Sequence, residues 1–140
     1  MLSKKENLLP GNVVIYHSPE GDKYCHLDAQ DIYNISTGYM DNDKVHSPVP
    51  VTPEVLLRCG FKKYKDANAG NVWKSFRYKH ICIDYRTKTS RGIIVWYDNN
   101  DDYGITLPSL NIKYLHQLQN LYYFMTGTEL DVSQLLNKKI

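Results

Sequence analysis

Hydrophobic spacing is most regular near the end of the chain, from Ser109 to Leu130. Ile112, Leu115, Leu118, Leu121 or Tyr122, and Met125 recur at intervals of three and four, which sets them on one stripe of an amphipathic α-helix. Ser109 or Asn111 is placed to cap its start, and Gly127 sits where a left-handed residue commonly ends a helix. The opposite side carries His116, Gln117, Gln119, Asn120 and Tyr123, polar but hardly charged. Upstream the period changes to two. Asn12–Tyr16 and Lys23–Leu27 flank the turn-rich Ser18–Asp22 and predict a hairpin. Val72–Tyr78 and His80–Tyr85 alternate, Arg91–Tyr97 is apolar on both faces, and Ile105–Leu107 ends at Pro108. The turns between them fall at 68–71, 87–90 and 98–102.

Between these blocks, Thr52-Pro-Glu-Val-Leu-Leu-Arg-Cys-Gly60 predicts a short helix with its own punctuation. Thr52 is the N-cap, Pro53 takes the first position, Glu54 favours the positive end and Gly60 stops it, with Phe61 folding back onto its apolar side. Residues 29–35 fit either a third short strand or an irregular turn. The Gly38–Val51 segment, rich in Gly, Asp, Asn, Ser and Pro, reads as a long loop. Leu130, Val132, Leu135 and Leu136 suggest a short terminal helix capped by Ser133. The expected fold class is therefore α+β: a single domain over residues 1–140, an antiparallel β-sheet packed against one long C-terminal amphipathic helix, with an N-terminal β-hairpin and a short middle helix. Residues 10–36 are a candidate small β subunit of that domain. The long helix is expected to lie across the strands of 72–107.

Composition changes this picture only in places. At 140 residues, 42% hydrophobic and 23% charged, the chain is of ordinary domain size and globular composition. Its twelve tyrosines against three Phe and two Trp suit half-exposed sheet faces as well as binding surfaces. Cys25, Cys59 and Cys82 are odd in number and lack a CxxC pair, so a disulfide framework is not expected and a reducing, cytoplasmic setting is. No apolar stretch predicts a signal peptide or a bilayer span, so no membrane partner is expected.

The net charge of +2 hides an uneven distribution. Residues 1–57 carry a net −4, residues 58–91 a net +8, and residues 92–140 a net −2. In the basic block, Lys62, Lys63, Lys65, Lys74, Arg77, Lys79, Arg86, Lys88 and Arg91 are interleaved with rings such as Trp73. Cations that track phosphates beside rings that stack on bases are the chemistry of single-strand binding. The competing explanation is a solvated antiparallel sheet whose outer face carries Lys and Arg against edge aggregation. On the long helix, His116, Gln119, Asn120 and Tyr123 form a candidate ligand or partner face, since residues four apart touch. The same side chains can instead satisfy buried backbone groups beside a sheet.

Motifs of catalysis and metal binding do not emerge. The Asp98–Gly104 loop fails as a calcium site, with Tyr103 at the glycine position and Ser109 at the position of the bidentate Glu. His80 and Cys82 share a strand face, and Cys25 neighbours His26, but no local knuckle joins them into a zinc site. GxSxG, HExxH, the P-loop and GxGxxG are all missing, so neither cofactor, metal nor catalytic residue is assigned. A triad assembled from distant residues leaves no such mark, so catalysis is left open.

The pairing of PVPVTPEVLLRCGFKKY (48–64) with IKYLHQLQNLYYFMTGTELDV (112–132) resembles a family of small proteins, without an established activity, found in Bacteroidetes genomes, their prophages and their phages. The order of elements around the two motifs is similar too. This resemblance implies an accessory protein of a phage or mobile element, acting in the cytoplasm of a bacterial host. Together with the missing motifs it favours a non-enzymatic protein that binds a protein partner or itself. Two alternatives stand beside it: a nucleic-acid-binding module using the 58–91 segment, and a small-nucleotide binder or hydrolase that counters host defence.

Overall fold

The computed structural model describes residues 8–37, 45–64, 73–78, 81–86, 93–97, 105–106, 112–136 and 140. The turns expected at 68–71, 87–90 and 98–102, and the expected caps Ser109 and Asn111, lie outside them. The architecture is α+β, with antiparallel sheets, an N-terminal hairpin, a short middle helix and a C-terminal amphipathic helix. The chain divides into two compact units, residues 1–50 with 114–140, and residues 51–113. The second is a continuous insertion into the first.

In the first unit, β1 (Val13–Ser18) and β2 (Gly21–His26) form the expected hairpin about Pro19-Glu20. Gly21 has φ +119°, a backbone that side chains rarely adopt, which is why glycine follows this tight turn. The other edge of β1 is taken by β3 (His46–Pro48), so the order is β2-β1-β3. This corrects the reading of 38–51 as loop throughout. Three residues, His-Ser-Pro, carry no strand pattern of their own, and the open backbone edge of β1 recruits them.

Residues 29–35, left open by the pattern, belong to α1 (Ala29–Thr37). Its start is fixed by a reciprocal exchange. Asp28 Oδ1 accepts from the Asp31 amide at 2.8 Å, and Asp31 Oδ2 accepts from the Asp28 amide at 3.0 Å. The donated amide holds the Asp28 carboxyl below the usual carboxylate range. Ile35 and Ile32, three residues apart, then pack with Val14, Leu27, Leu8 and Cys25. Burial there pushes the Cys25 thiol upward, so it stays protonated and unreactive.

The insertion opens with α2 (Pro53–Arg58). Thr52 Oγ1 accepts from the Val55 amide at 3.2 Å, and Arg58 pairs with Glu54 at 2.8 Å one turn away. Its end is a Schellman motif: the Phe61 amide donates to Leu56 O at 3.0 Å and the Gly60 amide to Leu57 O at 3.1 Å. Phe61 and Leu56 are both buried, the apolar contact that accompanies this motif. A five-stranded antiparallel meander follows in chain order: β4 (Lys62–Tyr64), β5 (Trp73–Tyr78), β6 (Ile81–Arg86), β7 (Ile93–Tyr97) and β8 (Ile105–Thr106). Phe76 stands opposite Ile83 and Tyr78 opposite Ile81, and Phe76, Ile81 and Ile83 are buried.

Back in the first unit, α3 (Leu115–Thr126) is shorter than the 109–130 expected. Tyr114 is its N-cap, with Gln117 Oε1 reaching back to accept from the Tyr114 amide at 3.0 Å. Gly127 ends it as predicted, left-handed at φ 72°, its amide on Tyr123 O at 2.8 Å. Leu115, Leu118 and Tyr122 are buried, each leucine contributing roughly 2 kcal/mol by removal from water. Its side-chain bonds run to residues 11, 12 and 13 at the start of β1. Periodicity shows that a helix has an apolar face but not which sheet covers it. Beyond it, Leu135 is buried by a single turn in which Asp131, not Ser133, is the acceptor.

Candidate functional site

The polar side of α3 is partly turned inward. Gln119 is 9% exposed and its amide closes on the backbone at the start of β1. Oε1 accepts from the Val13 amide at 2.8 Å, and Nε2 donates to Gly11 O at 3.1 Å. At the next helix position, Asn120 Oδ1 accepts from Asn12 Nδ2 at 2.8 Å, while Asn12 Oδ1 accepts from the Leu9 amide at 2.8 Å. The helix therefore supplies hydrogen-bonding partners to backbone at the start of β1, beyond the last β3 register pair at Val14 and Pro48, a requirement for backbone buried away from water.

Above these amides lies a cleft of about 260 Å³, lined by Leu9, Asn12, Gln119, Asn120, Tyr123 and Glu129 among others. Tyr123 and Leu9 are about half exposed, and the neighbouring Phe124 is 87% exposed. Of the face predicted from the sequence, Gln119, Asn120 and Tyr123 come together here. His116 is not among the lining residues. It is buried, its ring stacked on Tyr114 at 5.9 Å and 8° between planes, and burial lowers its pKa to about 4. A neutral imidazole in that position is a packing group.

The basic segment is placed only in part. Lys62 and Lys63 are exposed on β4, and Arg77, half-buried on β5, stands opposite Lys62 in register. Register also sets Trp73 opposite Arg86 and Lys74 opposite Tyr85. Lys65, Lys79, Lys88 and Arg91 lie outside the described residues. Among the described residues no group of three His, Cys, Asp or Glu side chains is placed to hold a metal ion.

One constellation went unread in the sequence. His17 Nδ1 lies 2.9 Å from Asp22 Oδ1, and His17 Nε2 lies 2.8 Å from Ser47 Oγ. The three residues stand on β1, β2 and β3. His17 faces Asp22 because they are register partners across the hairpin, and Ser47 pairs with Ile15 two residues away on the same strand face. A carboxylate only accepts, so in the neutral imidazole Nδ1 carries the ring hydrogen, Nε2 is left as acceptor, and the serine hydroxyl donates. The His17–Asp22 half follows once the hairpin is centred on Pro19-Glu20. Ser47 does not, because its strand has no sequence signal.

Searches of protein-family profiles, of curated proteins and of solved structures each found no match to this chain. Among the described residues, no helix is long and apolar enough to cross a membrane.

Proposed function

We propose that this protein acts by binding a protein partner, through the surface formed by Leu9, Tyr123 and Phe124 at the α3 cleft. The observation that carries this reading is the exposure of Phe124, 87% accessible on a helix whose other face is packed. Aromatic side chains beside a polar rim are the usual anchors of protein interfaces. The amides beneath are already engaged, Gln119 with the backbone and Asn120 with the Asn12 side chain, so the floor offers shape. A role as accessory protein of a phage or mobile element, in the bacterial cytoplasm, rests on the family resemblance.

Parallel affinity purifications of wild type and a Leu9→Ser/Phe124→Ser variant from the producing cells test this. The expected result is one stoichiometric protein, either a distinct partner or a second copy, retained by wild type and lost from the variant. Identical retention by both would sink the proposal. A second reading, nucleic-acid binding, draws support from exposed Lys62 and Lys63 beside Arg77. It calls for single-strand affinity that falls steeply with salt and weakens on Lys62→Ala/Lys63→Ala substitution.

A further inference from the structure

We infer that Ser47 is a nucleophile activated by His17 and positioned through Asp22, able to take the acyl group of a small ester with a short apolar chain. None of the three residues lines the α3 cleft, so this inference is independent of the binding role.

The connectivity is what carries it. Serine oxygen to Nε2 at 2.8 Å and carboxylate to Nδ1 at 2.9 Å is the arrangement in which imidazole takes a hydroxyl proton while the carboxylate fixes its tautomer. The side chains stand on three hydrogen-bonded strands, which hold them more firmly than loops would. They are also reachable: His17 is 33% exposed, Asp22 47%, and Ser47 half-buried. Ile15, the register partner of Ser47, is half-buried on the same face and offers an apolar surface beside the nucleophile.

In the proposed step Ser47 Oγ bonds to the ester carbonyl carbon as its proton passes to His17 Nε2. The carbon–alkoxy bond then breaks, and that proton leaves with the alcohol. Water attacks the acyl-serine, returns a proton through His17 and releases the acid. No oxidant, metal or cofactor is needed. Solvent reaches both His17 and Asp22 and screens their pairing, so a slow, selective reaction is expected rather than rapid turnover.

A fluorophosphonate probe and p-nitrophenyl butyrate, each applied to the full chain, test the inference. Peptide mapping should place a single phosphonate adduct on Ser47. His17→Gln should slow it about 100-fold, the lower end for a general base. Asp22→Asn should slow it with the circular dichroism unchanged, because the amide offers a donor to Nδ1 and favours the wrong tautomer. Adducts scattered over tyrosines and lysines, or no adduct on Ser47, would overturn it. These readouts use wild-type protein, so they hold even where a variant fails to fold. The cluster would then be a polar tie between strands.

Discussion

At the scale of single residues, Gln119 ties the last helix to the start of β1. Gln119→Leu keeps the bulk but leaves the Val13 amide and the Gly11 carbonyl without their partner. An unsatisfied buried group costs about 1–3 kcal/mol, so a loss of roughly 3 kcal/mol is expected in urea unfolding. His116 predicts a pH dependence. Its folded pKa of about 4 lies below the 6.5 of an unperturbed histidine, so the unfolded chain binds the proton first. Stability from this group is fully present above pH 6.5 and falls as pH drops toward 4, by about 3 kcal/mol in all. Urea midpoints measured across that window should slope downward in wild type and lose this component in His116→Leu.

Elements differ in how far the sequence announces them. The short helix α2 was legible residue by residue, because Thr52, Pro53, Glu54, Gly60 and Phe61 each act on neighbours within one or two turns. Gly60 carries the sharpest expectation there. Its φ is +90°, and a Cβ would lie 3.2 Å from the Tyr78 ring. Gly60→Ala should therefore cost more than the ~1 kcal/mol of an ordinary helix-end glycine, as read from the thermal midpoint. By contrast α1 was not legible: its cap is an Asp–Asp exchange rather than Ser/Thr with Glu, and Ile32-Tyr33-Asn34-Ile35 fits either period. β3 was illegible for a different reason. A strand of three residues exists only through the partner it meets, and that partner lies about thirty residues away. The same distance hid Ser47 from His17, whereas Gln119 and Asn120 were visible as a polar face before their backbone partners were known.

For the molecule as a whole, the arrangement of the two units has a kinetic side. In the first unit the Leu115 amide donates to Val49 O at 2.8 Å, and in the second the Val51 amide donates to Lys113 O at 3.0 Å. The strand β1 thus meets α3 only after the chain between them, residues 51–113, has been looped out. Closing an unstructured loop of that length costs about 4 kcal/mol of chain entropy. If the insertion folds first, its own Val51–Lys113 bond already brings the two arms side by side, and most of that barrier is gone. A core lesion in the insertion, Phe76→Ala, should then slow protection of the Val13 amide in pulsed hydrogen exchange, although that amide belongs to the other unit. Equal rates in wild type and variant would mean that the two units fold independently. If the insertion folds first, synthesis on a ribosome follows the same order: the hairpin waits, the insertion matures, and α3, made after it, closes the first unit.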